Sequence, residues 1–243
     1  MSTVIPVVID TETTGIDLDK DSVVQLAAVM YDTNTGNPVT LLSMLCNPGM
    51  EISKEAGDVH GVTQDELYWA TPTAWALQHL KLALDTLEQQ GDIILVGHNS
   101  DRFDIPLIHR ILPSAGFNTY LTVDTYTMVM REWPERDHKL GLLYEWYVGK
   151  PAVKAHDAAA DCWMVVEILH KYLAEHDITL MELSRQQEEP RLMKVWPWGK
   201  YKGRLVADLP RTFLEWCRTN YHEVHPDIEA TICDRLGCDA WTK

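Results

Sequence analysis

The sequence predicts an α/β domain built on a mixed sheet, followed by a small module of different character. Three observations lead there. Short apolar runs open the chain, helical patterns then alternate with further strands, and the balance of charge and aromatics changes after about residue 190.

Val4–Ile9, Val23–Tyr31 and Val39–Cys46 read as a three-stranded meander, with a turn at Asn34-Thr35-Gly36-Asn37-Pro38 between the last two. Pro72–Gln89 follows a helical pattern, with Trp75, Leu77, Leu80, Leu82, Leu84 and Leu87 mostly on one broad face. Asp92–Gly97 reads as a buried strand and Phe103–Leu112 as the helix after it. Tyr120–Val123 predicts another short strand, and Lys139–Val148 and Asp157–Ala174 predict two more helices. A first domain then occupies residues 1–175. Residues 176–190 are polar, end in Gln186-Gln187-Glu188-Glu189-Pro190, and read as a linker. Residues 191–243 form the C-terminal module.

With 46% hydrophobic residues in 243, a packed core is expected and wholesale disorder is excluded. No run of about 18 apolar residues occurs, so no membrane span is expected. The first residues carry no basic stretch ahead of an apolar one and read as a strand, not a signal peptide. Cys46, Cys162, Cys217, Cys233 and Cys238 are odd in number and show no framework spacing, which favours free thiols in a reducing cytoplasm. The net charge of −15 argues against a protein that coats long duplexes by charge. It is compatible with an enzyme that holds a few terminal nucleotides in a pocket where bound divalent cations supply positive charge.

Three acidic elements carry the chemistry. Asp10-Thr11-Glu12-Thr13-Thr14-Gly15 follows the first strand. Strand side chains alternate, so Asp10 and Glu12 share a face and can enter one site from a rigid element. Two close carboxylates repel, and hard divalent cations with oxygen ligands are a natural balance. Gly15 lets the chain turn sharply near a ligand. The second element, Gly97-His98-Asn99-Ser100-Asp101-Arg102-Phe103-Asp104, puts Asp104 near the start of a helix that faces the same sheet edge, with Asp101 available as a helix cap. The third is His156-Asp157-Ala158-Ala159-Ala160-Asp161. A spacing of five turns side chains about 140° apart on a helix. His156 is therefore expected at the helix mouth, Asp157 at the N-cap and Asp161 on the first turn.

Together these elements resemble the DEDD superfamily of 3'→5' exonucleases over roughly residues 4–175. His156, five residues before Asp161, is similar to the histidine branch of that superfamily. Asp58-Val59-His60-Gly61-Val62-Thr63 resembles a segment that lies near the active site in the family. One departure is the three residues between His98-Asn99 and Phe103-Asp104, where many relatives have two. The resemblance implies a ribonuclease-H-like mixed sheet flanked by helices. It also implies two metal ions per site, Mg²⁺ with Mn²⁺ as substitute, held by Asp10, Glu12, Asp104 and Asp161, and His156 as general base. The implied substrate is a nucleic-acid 3' end, single-stranded DNA first, released as nucleoside 5'-monophosphates. Thr13, Gly15, His60 and Asn99 would contact the terminal nucleotides, and a replication or repair protein could serve as partner. An exoribonuclease, a short-oligonucleotide nuclease and a non-catalytic binding module remain as alternatives.

From Arg191 to Arg218, seven cations face only Asp208 and Glu215, with Trp196, Trp198, Tyr201, Phe213 and Trp216 interleaved. Cations among stacking rings suit single-stranded nucleic acid, and Lys200, Lys202 and Arg204 are the candidate phosphate contacts. The same rings could instead be the core of a tiny domain. The stretch from Trp198 to Trp216 resembles a small module found on exonuclease-X-like proteins. His222, His225, Cys233 and Cys238 invite a zinc reading, at a spacing that fits no common finger.

Overall fold

The computed structural model describes residues 3–33, 35–152, 156–221 and 224–239. Asn34 of the expected turn and His222 of the zinc reading lie outside the described residues. The chain forms two compact units. The first comprises residues 1–125 and 139–184, the second residues 126–138 and 185–243.

The first unit opens with β1 (Val4–Thr13), β2 (Val23–Tyr31) and β3 (Pro38–Asn47). α1 (Lys54–His60), α2 (Gln64–Leu67), β4 (Thr71–Pro72), α3 (Thr73–Glu88), β5 (Asp92–Gly97) and α4 (Asp104–Ile111) follow. Next come β6 (Leu121–Asp124), α5 (Thr125–Glu132), which from residue 126 on belongs to the second unit, and then α6 (Leu140–Leu143) and α7 (Ala158–His176). The six strands lie in the order β4-β3-β2-β1-β5-β6. β1, β2 and β3 are antiparallel neighbours, while β5 runs parallel to both β1 and β6. The mixed α/β sheet expected from the sequence is therefore present.

β1 is central and covered on both faces, which explains its unbroken apolar run. Ile5, Val7 and Ile9 pack in one core cluster with Leu77, Leu80 and Leu84 of α3 and with Ile105 and Leu107 of α4. Pro6 and Val8 point the other way and are equally buried. α7 packs against β1 and β2, and its buried Cys162 Sγ lies 3.7 Å from the Val8 carbonyl oxygen. The small Ala158–Ala160 stretch permits that approach.

Several expectations need correction. On α3, Trp75 and Leu82 face outward, 63% and 65% exposed, and Ala76 takes their place inside. The helix expected over Lys139–Val148 is present from Leu140 on, but it passes from α6 into a π-helix at Tyr144–Val148. The expected linker contains α8 (Leu180–Glu188), whose Leu180 and Leu183 are buried. α1 and α5 were not foreseen.

The second unit completes the chain with α9 (Arg211–Asn220) and α10 (Pro226–Leu236). Its core is Trp196, Val206, Leu209, Leu214, Cys217, Ile228 and Ile232. Arg131 on α5 forms a two-pronged ion pair with Asp227 of α10, at 2.7 and 2.8 Å, with both side chains almost fully buried. The zinc reading loses His225. Its Nδ1 accepts from the Asp227 N–H and its Nε2 lies 2.7 Å from Thr127 Oγ1. Among the described residues, no helix is long and apolar enough to cross a membrane, and all five cysteines are free.

Candidate active site

β1 delivers Asp10 opposite Ala27 and Glu12 opposite Gln25. A bulge follows Glu12, a device that re-aims side chains at the end of a strand. Asp10 and Glu12 share the face of β1 that meets α7. On α7, Asp157 is the N-cap and accepts from the Ala160 N–H at 3.1 Å, so Asp161 lies on the first turn, as expected. His156 precedes the cap with φ of 68°, and its N–H donates to Asp161 Oδ2 at 3.3 Å. The ligand atoms of Glu12, His156 and Asp161 all lie within 4.8 Å of one another.

Thr11 points to the opposite face of β1, and there its hydroxyl donates to buried Asp104 at 2.5 Å. Asp104 enters from the first turn of α4. The four carboxylates thus gather at one end of β1 from both helical layers. Their electrostatics follow. Burial, then the charges of Asp104, Asp161 and Glu12, push Asp10 well above the ordinary carboxylate range. Burial first and Asp161 second raise Glu12 to about 8. Burial raises Asp104 to about 7 against the pull of Thr11, and Asp161 to about 6 against the pull of the His156 N–H. Among the described residues no lysine or arginine pairs with any of the four. Asp161 Oδ1 is buried with no hydrogen-bond partner. Concentrated, desolvated carboxylates with an orphaned oxygen fit divalent cations bound by oxygen ligands.

The remaining expected residues fall in three places. Thr13 donates its hydroxyl to the Gly15 carbonyl at 2.6 Å, and its own carbonyl lies 3.1 Å from His60 Nε2. His60 Nδ1 accepts from the Val62 N–H, so the imidazole braces the end of β1. Gly15 does not occupy the left-handed region; it is needed because a Cβ there would run into the Asp21 carboxylate. Asn99 has φ of 65° in the longer loop before Asp104. Asp101 does not cap α4, since the N-cap is Phe103 with no side-chain bond and Asp101 instead accepts from Thr122. Lys200, Lys202 and Arg204 are exposed in the second unit.

Sequence reasoning missed Asp124 and Thr125. Asp124, at the end of β6, accepts from the backbone N–H groups of Asn99 and Asp101 at 2.8 and 3.2 Å. Thr125 donates to the Gly97 carbonyl and lies 2.9 Å from His98 Nδ1. Together they hold the loop that carries its extra residue into Asp104. An Asp-Thr pair between a short strand and an unforeseen helix was the only available signal.

The exonuclease family model of the ribonuclease T type matches residues 7–169. A second model, described as a quorum-sensing-regulated virulence factor, matches residues 189–223. The chain is 25% identical over 232 residues to Exodeoxyribonuclease 10 of Escherichia coli, covering 93% of this chain and 96% of the relative. It is 30% identical over 194 residues to DNA polymerase III PolC-type of Oceanobacillus iheyensis, covering 75% of this chain and 13% of that longer protein. The fold is similar to exonuclease X in complex with 5' overhanging duplex DNA, with TM-score 0.53 and 24% identity over 74% of this chain and 98% of that one. It is also similar to the zinc-bound E. coli ExoI–ssDNA complex, with TM-score 0.63 and 18% identity over 77% of this chain and 44% of that one. The chain therefore belongs to the ribonuclease T family of exonucleases, within the DEDDh superfamily, and is a 3'→5' exonuclease.

Proposed function

We propose that this exonuclease shortens DNA from 3' ends, single-stranded or frayed, and releases nucleoside 5'-monophosphates. The observation that carries the reading is the meeting of Glu12, His156 and Asp161, with the desolvated Asp10 and Asp104 beside them. Asp10, Glu12 and Asp161 would hold one divalent cation, and Asp10 with Asp104 would help hold a second, Mg²⁺ with Mn²⁺ as substitute. Two bound cations supply activation of water and stabilisation of charge on the phosphate and leaving oxygen. His156 would take the proton from the attacking water, a task suited to an imidazole near neutral pH. Thr13, Gly15, His60 and Asn99 would shape the seat of the terminal nucleotide, and Lys200, Lys202 and Arg204 would meet phosphates further along the strand. DNA is favoured over RNA because the relative matched across 93% of this chain is, by name, an exodeoxyribonuclease. A replication or repair protein would be a fitting partner for such an activity.

The test uses the full chain with 5'-labelled DNA and RNA 12-mers. With Mg²⁺ the DNA should shorten stepwise from its 3' end, and chelation should stop it. Shortening of RNA alone would overturn the DNA reading. Failure to shorten either strand with Mg²⁺ or Mn²⁺ would overturn the whole proposal.

A further inference from the structure

The second unit carries a cavity of about 350 Å³ lined by aromatic rings and Lys200, and the rings have no part in the carboxylate chemistry. Trp196 forms its floor, fully buried at the centre of the unit's core. Trp198 and Phe213 pack on Trp196 at 5.4 and 5.3 Å between ring centres. Tyr201 leans on Phe213, and Tyr221 joins Trp198 to Trp216. Stability of a small domain accounts for Trp196 and for the inner faces of its neighbours. It does not account for Trp216, which is 51% exposed yet set edge-on against Tyr221 at 5.5 Å. Nor does it account for the cavity itself, whose size falls in the range of small-ligand sites. The buried indole N–H of Trp196 also lacks an acceptor.

The charges around the rings point to one class of occupant. Lys200 lines the cavity, with its Nζ 5.4 Å from the centre of the Tyr201 ring, and the Arg204 guanidinium lies 5.6 Å from the same ring. Lys202 is exposed between them in sequence, and none of the three makes an ion pair among the described residues. Three uncommitted cations on a chain of net charge −15 form a local exception. Flat apolar walls beside positive charge suit a nucleotide, whose base stacks and whose phosphate meets a cation.

We propose that this cavity is a nucleobase-binding site for single-stranded nucleic acid, separate from the carboxylate site. Trp198, Trp216 and Tyr221 stack on a base, while Lys200, Lys202 and Arg204 contact the flanking phosphates. The inference rests on the reading above that the substrate is a nucleic-acid strand, and it assigns a second grip on that strand.

The test measures equilibrium binding of fluorescein-labelled dT12 to the full chain in EDTA, where no cleavage confuses the readout. Trp216→Ala should bind about 10-fold more weakly, as expected for one lost stacking partner. Replacing Lys200, Lys202 and Arg204 with Ala should reduce the slope of log affinity against log salt by roughly 2, at about 0.7 per contact with a single strand. Circular dichroism checks that each variant stays folded. A photo-crosslink from an oligonucleotide carrying 5-iodouridine needs no variant, and it should map to Trp198, Trp216 or Tyr221. Wild-type affinity and salt slope in folded variants, with crosslinks confined to residues 7–169, would overturn the proposal and leave the rings to a protein partner or to the core alone. Absence of cleavage in the Mg²⁺ assay above, with dT12 still bound and crosslinked here, would overturn only the catalytic reading.

Discussion

His156 stands one residue ahead of the α7 N-cap with φ of 68°, a conformation that non-glycine residues rarely adopt without support. Asp161 supplies some of that support by accepting the His156 N–H, so one carboxylate both lines the proposed metal site and holds the histidine backbone. The imidazole itself is exposed, and little packing depends on it. His156→Ala should therefore keep the fold and Mg²⁺ binding but lower kcat by roughly 10²-fold or more. Calorimetric Mg²⁺ titration beside single-turnover cleavage would separate the two effects, and wild-type turnover would remove His156 from the mechanism. At this scale the acidic residues were legible, because strand alternation and first-turn position are local properties of short motifs. Asp124 was not. Its work is to accept two backbone N–H groups from a loop some 25 residues earlier, and no local pattern encodes such a contact. His60 was legible as a member of a motif, but its bracing of Thr13 depends on the way α1 folds back on β1.

Among the elements, the central strands and α7 were legible because periodicity and burial agree there. α3 was legible as a helix, but its buried stripe was not, because Trp75 and Leu82 are apolar residues left facing outward. The C-terminal module was legible in composition but not in its parts. α5, far upstream in sequence, packs with it through Arg131. That guanidinium binds both Asp227 oxygens and also donates to the carbonyls of Gln186 and Glu189, while Asp227 accepts the Arg191 N–H. One buried pair thus ties α5, the end of α8, the following segment and α10 into a unit. Asp227→Ala would leave the Arg131 charge buried without its partner, and breaking such a pair costs about 3–5 kcal/mol. The urea midpoint of the second unit, followed by near-ultraviolet circular dichroism of its clustered rings, should fall accordingly. A midpoint equal to wild type would show that the pair contributes nothing net.

For the whole molecule, the carboxylate site opposes the fold that holds it. Asp10, Glu12, Asp104 and Asp161 all have folded-state pKa values above their ordinary ones, so at pH between about 4 and 8 these four groups bind more protons in the folded chain than in the unfolded one. Stability then falls as pH rises, by about 1.4 kcal/mol for each unit of raised pKa once a group is ionised in both states. Two histidines act in the opposite direction. Burial lowers His60 and His138, so their contribution is lost as pH falls and regained as it rises. The difference between wild type and an Asp10→Asn, Glu12→Gln double variant isolates the site. Without metal, the wild-type melting temperature should fall relative to the variant between pH 5 and pH 8. Mg²⁺ should raise the wild-type value most at pH 8, where the carboxylates are free to bind it, and should leave the variant nearly unmoved. If the two proteins track each other across that range, and Mg²⁺ shifts both equally, the cluster is neither strained nor a metal site. A shift confined to wild type and growing with pH would mean that the charge repulsion stored in the fold is relieved by the cation that the chemistry requires.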